Sequence, residues 1–325
     1  MPVGSPSVSV VVPLYDMASS VRASVASALA QTYSDFELIV VDDGSRDGGG
    51  AIVESMGDPR VRVLRQENAG VSAARNAGII ASRAPWVALL DADDRWEHRH
   101  LEQLIAAAGS AAVVGAFSNS FRESQPGRPS VPAACPAGLV EDYFAFALAN
   151  GGYPIATTSV MLRRSNAVAA GLFPPGKRMG EDTDMWCRLA CRGPFFYNAA
   201  LSATYSDLPS DTGVTRNLKH KAEFPPFAER LPAMLARGEV PLRLRRSARR
   251  YANFLLLEYA RQLLDRDEAA EARRVLMTHC SPLADPLRFA RRFVRTMPGG
   301  GAVYRAFRGR EAGLGSVLDK DSRRA

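Results

Sequence analysis

Three short apolar runs, each ending directly in a polar cluster, constrain this chain more than any other feature. Val8-Ser9-Val10-Val11-Val12 leads into Pro13-Leu14-Tyr15-Asp16, and Phe36-Glu37-Leu38-Ile39-Val40-Val41 into Asp42-Asp43-Gly44-Ser45. The third, Trp86-Val87-Ala88-Leu89-Leu90, leads into Asp91-Ala92-Asp93-Asp94. Short β-branched and aliphatic runs bounded by turn chemistry read as buried strands. Between them, Ser19 to Thr32 places Val21, Val25, Ala28 and Leu29 on one helical face. Arg60 to Arg65 alternates as a strand does, and Ser72 to Ser82 returns to helix. This alternation predicts an α/β fold with a doubly wound, mostly parallel sheet. Such sheets bind ligands beyond the carboxyl ends of their strands, which is where the polar clusters fall.

Farther along, Ala111 to Phe117 reads as a strand, Arg122 to Gly138 as a Pro-rich loop, and Glu141 to Ala149 as a short helix. Thr157 to Leu162 reads as a strand, and Gly180-Glu181-Asp182 opens a helix running to about Cys191. Strand-like Phe195 to Tyr197 and Leu201 to Tyr205 follow. Beyond Asn217 the pattern is helical. There Leu244, Ala248, Tyr251 and Leu255 form an apolar stripe, and Arg243, Arg246, Arg249 and Arg250 a cationic face. Charge changes at the same place. Residues 1–217 hold 18 Lys and Arg against 22 Asp and Glu; residues 218–325 hold 23 against 12, for a total of +7. The expectation is a catalytic-type domain over 1–217 and a basic helical region over 218–325.

Several classes are excluded. Four cysteines (Cys135, Cys187, Cys191, Cys280) are too few for a disulfide framework and point to a reducing, cytoplasmic setting. No secretory signal is legible at the N-terminus. The longest uncharged stretch, Tyr143 to Leu162, is broken by Asn150-Gly151-Gly152-Tyr153-Pro154 and does not read as a membrane span. There is no G-x-G-x-x-G after the first strand, no P-loop, no H-E-x-x-H and no G-x-S-x-G. His98 and His100 read as solvated surface groups. The arginines of the basic region lack the interleaved aromatics of a single-strand nucleic-acid binder, so no nucleic acid is expected. Arg288, Arg291, Arg292 and Arg295 around Leu287, Phe289, Phe293 and Val294 could meet an anionic membrane as a peripheral amphipathic helix. The same pattern equally describes the solvated face of a helical subdomain.

The remaining chemistry is carboxylates at strand ends. If the strand extends past Leu90, Asp91 and Asp93 share a side, and two carboxylates aimed together call for a hard divalent cation, Mg²⁺ or Mn²⁺. A solvated turn is the plainer alternative. Asp42 suits an Asx-type turn, whereas Asp43 could accept hydrogen bonds from a ligand ring. Arg75, in Ala74-Arg75-Asn76, could reach phosphate oxygens or a base edge with its planar fork. In Gly180-Glu181-Asp182-Thr183-Asp184-Met185-Trp186 the carboxylates could simply complement the helix dipole, or one of them could act as a general base. Trp186 is either a core anchor or a flat surface for a sugar ring.

Taken in order and spacing, these stretches resemble family 2 glycosyltransferases of the GT-A fold. The resemblance is carried by Val8 to Tyr15, Gln31-Thr32-Tyr33, Phe36 to Ser45, Asn68-Ala69-Gly70-Val71-Ser72-Ala73-Ala74-Arg75-Asn76, Leu90 to Asp94 and Gly180-Glu181-Asp182. It covers roughly the first 205 residues. It implies a nucleotide-sugar donor, uridine- or thymidine-linked, a divalent cation, and transfer with inversion to a hydroxyl of a glycan, lipid-linked or other acceptor. Carried over residue by residue, it makes Asp182 the catalytic base. Pro13, Leu14, Tyr15, Asp16, Asp43, Arg75, Asp91, Ala92, Glu181 and Trp186 become the donor site, and Asp93, Asp94 and Asp207 the metal side. Two departures stand out: Asp16 replaces a frequent asparagine, and no arginine or histidine follows Tyr205 in Ser206-Asp207-Leu208-Pro209-Ser210. A nucleotidyltransferase of related architecture is the rival enzyme, but Pro13-Leu14-Tyr15-Asp16 is not the Gly-rich basic loop that it would need. A non-catalytic protein docking on membrane is the rival outside catalysis.

Overall fold

The computed structural model describes residues 5–109, 112–132, 134–207 and 222–300. The described residues divide between two compact units, one within 1–220 and 233–248, the other within 221–232 and 249–325. The sequence boundary expected between Asn217 and Leu218 lies outside the described residues.

The first unit is built on a nine-stranded sheet. β1 (Val8–Leu14), β2 (Phe36–Asp42), β3 (Val61–Arg65) and β4 (Trp86–Leu89) lie in the order β3-β2-β1-β4 and are all parallel. Their connections carry α1 (Val21–Leu29), α2 (Gly49–Glu54) and α3 (Val71–Ala81). The apolar runs are buried because both faces of this half-sheet are covered, as parallel sheets require. Helix α3 comes very close: a Cβ on Gly78 would stand 2.3 Å from a Val11 methyl. Only glycine permits that approach, and it brings Arg75, one turn earlier on the same face, down to the strand ends.

The second half of the sheet is mixed. It contains β5 (Arg95–Trp96), β6 (Gly115–Arg122), β7 (Gly138–Val140), β8 (Val160–Arg163) and β9 (Phe195–Tyr205). β8 runs antiparallel to β4 and β6, β9 parallel to β6, and β5 and β7 antiparallel to β9. The period of one strand does not report its partner's direction, so the mostly parallel expectation holds for the first half. The two strands expected at 195–197 and 201–205 are one. Its register slips against β6 on both sides of Asn119, and this irregularity absorbs Ala199, Ala200 and Ser202. The helices here are α4 (His100–Gly109), α5 (Tyr143–Ala149), α6 (Arg164–Ala169) and α7 (Glu181–Ala190).

Four further helices are α8 (Pro226–Ala236), α9 (Arg245–Leu264), α10 (Ala269–His279) and α11 (Pro286–Arg295). The expected stripe of Leu244, Ala248, Tyr251 and Leu255 is buried, and Arg243, Arg246, Arg249 and Arg250 are exposed. In the second unit Phe289 and Phe293 of α11 pack on a cluster containing Leu257, Leu263, Val275 and Leu276. Arg292 pairs with Glu258 at 2.5 Å, Arg295 with Asp265 at 2.7 Å and Arg288 with Asp285 at 3.4 Å, while Leu287 and Val294 stay exposed. Among the described residues no helix is long and apolar enough to cross a membrane.

His100 corrects the sequence expectation. It is 0% exposed, its Nδ1 lies 2.9 Å from Ser202 Oγ, and its ring stacks on Trp96 at 4.5 Å. The polar run Glu97-His98-Arg99 before it hid that α4 turns its first residue toward β9. Burial pushes its pKa down to about 3 from 6.5. Between those values the unfolded chain takes up a proton that the folded chain refuses, so stability falls as pH falls through that window. Urea titrations should show His100→Asn losing about 2 kcal/mol less than wild type between pH 7 and pH 5. Equal losses would refute the buried neutral imidazole.

Candidate active site

The chain does not stay extended past β4. It turns, Asp94 N donating to Asp91 O at 3.1 Å, so the expected extended Asp91–Asp93 pair gives way to a tight acidic turn. Helix α1 pins this turn, Ser24 Oγ donating to Asp91 O at 2.8 Å, and Ser206 N donates to Asp94 Oδ1 at 2.8 Å. Burial and the Asp91 charge push Asp93 up to about 6. Burial, then Asp91 and Asp93, raises Asp94 well above the usual carboxylate range.

Arg75 stands beside this turn, 5% exposed. Its Nη2 donates to Asp91 Oδ1 and Oδ2 at 2.8 and 3.1 Å, and its Nη1 donates to Glu181 Oε1 at 3.1 Å. The Phe173 ring centroid lies 5.5 Å from its guanidinium carbon. Burial opposes its charge, but Asp91 and Glu181 outweigh that and hold it protonated. One cation therefore joins the end of β4 to the start of α7.

Helix α7 begins at Gly180, whose φ of 77° is a left-handed conformation suited to glycine. Glu181 is pushed up to about 7 by burial and then by Asp182; Asp182 is itself raised by burial. Asp182 Oδ1 accepts from Thr183 N at 2.5 Å and from Thr183 Oγ1 at 3.2 Å, which orients the carboxylate. Asp184 is buried against Arg188 at 2.8 Å, the structural role open to it from the sequence. Asp93 and Asp182 both feel Asp91 and Arg75, so the acidic turn and the head of α7 form one electrostatic cluster.

The rest of the expected donor site is placed as follows. Asp43 Oδ1 accepts from Gln66 Nε2 at 2.7 Å and Ala69 N at 2.9 Å, and its Oδ2 from Gly70 N at 2.8 Å. It thus builds the loop that launches α3. Asp42 makes the expected Asx-type turn to Ser45 N at 2.9 Å. Asp16, at φ 49°, accepts from Arg46 N at 2.8 Å and ties the loop after β1 to the loop after β2. Pro13 is half-buried and Tyr15 is exposed. Leu14, Ala92 and Trp186 do not face outward: Leu14 and Ala92 join the sheet core, and Trp186, 1% exposed, packs edge-on to Phe173. Strand alternation sends Leu14 inward, so these three side chains support the site from behind. Asp207 is held by Ser124 N and Oγ at 2.9 and 2.6 Å, with Arg122 at 3.6 Å; those bonds hold its carboxyl below the usual range. It is the Ser206 amide of that segment that reaches the acidic turn, through Asp94. Ser24, Ser206 and Phe173 carried no chemical signal in the sequence, and Asn76 was visible only as the neighbour of Arg75.

The acidic turn fits a hard divalent cation. Its donors are carboxylate oxygens, and burial followed by carboxylate repulsion raises Asp93 and Asp94, a cost to their charged forms that a cation would relieve. Among the described residues no three His, Cys, Asp or Glu side chains are grouped to hold a metal on their own. The turn thus suits an ion that keeps water and phosphate oxygens in its shell.

Comparison with known proteins agrees with this geometry. The model for glycosyl transferase family 2 matches residues 9–167, a span that includes Arg75 and the acidic turn and stops before α7. The succinoglycan biosynthesis protein ExoO of Rhizobium meliloti is 40% identical over 124 residues, 38% of this chain and 36% of that protein. The uncharacterized glycosyltransferase EpsJ of Bacillus subtilis is 34% identical over 137 residues, 42% of this chain and 40% of that protein. The match thus spans about two-fifths of the length of these relatives. S. aureus TarS 1-349, solved with UDP-GlcNAc, superposes with a TM-score of 0.68 at 16% identity, over 92% of this chain and 91% of its own. The mannosyltransferase PcManGT of Pyrobaculum calidifontis, solved with GDP-Man and Mn²⁺, gives 0.57 at 18% identity, over 97% and 87%. The structural likeness establishes the shared GT-A fold, and the sequence likeness to glycosyl transferase family 2 extends over residues 9–167, just under half of the chain.

Proposed function

We propose that this protein transfers a sugar, with inversion, from a nucleotide-diphosphate sugar to an acceptor hydroxyl in the synthesis of a polysaccharide or glycoconjugate. The observation that carries it is Arg75, bonded at once to Asp91 beside the acidic turn and to Glu181 beside Asp182. Breaking a glycosyl phosphate bond leaves negative charge on the diphosphate, and the attacking hydroxyl must lose a proton. Charge stabilisation and proton acceptance are therefore needed side by side. The ExoO name supports a role in polysaccharide synthesis, and the TarS and PcManGT complexes support a nucleotide-sugar substrate.

In this reading Asp93 and Asp94 would hold Mg²⁺ or Mn²⁺ together with water and diphosphate oxygens, and the ion would supply Lewis-acid stabilisation of the leaving diphosphate. Asp91, bonded to Arg75, stays on the donor side. Tyr15, Pro13, Asp16 and Asp43 form the nucleoside side of the donor site. Asp182 takes the proton of the acceptor hydroxyl; its raised pKa brings it toward the pH at which it must work. Glu181 stays beside Arg75 and keeps the guanidinium between the two halves of the site.

A panel of UDP-, dTDP- and GDP-sugars tested by thermal denaturation with Mn²⁺ checks the proposal. A donor present at about 100 times its Kd adds about 2.7 kcal/mol of stability, a Tm rise of roughly 5 °C or more. EDTA should abolish most of the rise. No shift with any donor would overturn the proposal, and an undiminished shift in EDTA would remove the cation from it.

A further inference from the structure

Asn76 follows Arg75 in α3, and its side chain grips the main chain of a residue 97 positions away from both sides. Its Nδ2 donates to Phe173 O at 2.8 Å, and its Oδ1 accepts from Phe173 N at 2.9 Å. Phe173 is fully buried, lies under the Arg75 guanidinium, and packs edge-on to Trp186 of α7 at 5.8 Å. From the other side Arg188 of α7 donates to Ala170 O and, at 2.6 Å, to Leu172 O. Leu172 sits at φ 60°, a left-handed conformation costly for a branched side chain, which persists only where the surroundings dictate it. The segment Ala170–Phe173 is therefore held between α3 and α7.

We propose that Asn76 is a positioning residue: through Phe173 it fixes the register between α3, which carries Arg75, and α7, which carries Glu181 and Asp182. Only a primary amide offers one donor and one acceptor in the geometry that a single backbone unit presents. Aspartate would keep the bond from Phe173 N and set a charge against Phe173 O; alanine keeps neither. Without the grip, Phe173 leaves the underside of Arg75, and the head of α7 loses its fixed distance from the acidic turn. The geometric half stands on its own, whereas the effect on turnover rests on the glycosyl-transfer reading.

The test compares the full chain with Asn76→Ala, Asn76→Asp and a control, Asn119→Ala. Asn119 makes the same two-sided grip on Val131, with bonds of 2.8 and 3.0 Å, on another loop. Amide hydrogen exchange in the first turn of α7 should rise about tenfold or more in both Asn76 variants, and at Phe173 in Asn76→Ala, which loses the bond from Phe173 N; both should stay at the wild-type level in Asn119→Ala. With UDP-GlcNAc or GDP-mannose and Mn²⁺, Asn76→Ala should lower the rate of nucleoside diphosphate release to water about tenfold, with the donor KM within about threefold. Exchange at α7 that rises no more in Asn76→Ala than in Asn119→Ala overturns the proposal. So does a turnover loss that Asn119→Ala matches at equal loss of Tm. A wild-type protein that releases nucleoside diphosphate from neither donor counts against the glycosyl-transfer reading, and the exchange measurement still decides the role of Asn76.

Discussion

Asp182→Asn should lower turnover by about 10²–10⁴-fold while donor binding, read by Mn²⁺-dependent thermal stabilisation, stays within about threefold. The substitution keeps shape and hydrogen-bonding volume and removes only the ability to take a proton. Asp182 Oδ1 is already oriented by Thr183 N and Oγ1, so an amide can sit in the same place. Because burial raises the pKa of Asp182, the wild-type rate should climb with pH through a limb above the ordinary carboxylate range: below it the base is protonated and cannot act, above it the base is free. Asp182→Asn should lose that limb together with the rate. Near-full turnover in the variant would move the base elsewhere.

Arg75→Met should be the most destabilising single change at the site, costing about 3–5 kcal/mol, because it strands Asp91 and Glu181 beside other carboxylates with their cation gone. Methionine fills similar volume, so the loss is electrostatic rather than a cavity. Proton uptake by Glu181, already pushed up to about 7, should soften the loss below that pH, so urea titrations should find the variant closest to wild type in mild acid. Arg75→Lys keeps the charge but cannot span both carboxylates with a planar fork, and should fall between the two. If Arg75→Met costs under about 1 kcal/mol at neutral pH, Arg75 is only a surface-type ion pair and does not hold the halves together.

Much of the fold was legible because parallel strands write themselves as unbroken apolar runs. Val8–Val12, Phe36–Val41 and Trp86–Leu90 all became strands within two residues of their expected ends, and the acidic clusters fell where a doubly wound sheet puts its ligands. The second half was less legible. Strand β9 looked like two pieces because its bulge interrupts the apolar pattern, and the antiparallel pairing of β8 leaves no mark in its own four residues.

At the candidate site, residue type and order singled out Asp91, Asp93, Asp94, Glu181 and Asp182 as candidates, while side-chain direction went unread. Leu14, Ala92 and Trp186 turned inward, and His100 was buried where its polar neighbours suggested water. Asp43 proved to be an organiser of the loop before α3.

What the sequence determined by itself was the alternation of elements and the chemistry at their ends, because hydrophobic period and turn preference act between near neighbours. Which groups meet was decided by the tertiary structure alone. Arg75 and Glu181 are 106 positions apart, and Asn76 and Phe173 are 97. Burial, pKa and ion pairing all depend on what the closed chain brings within a few ångströms, and local pattern carries no record of that.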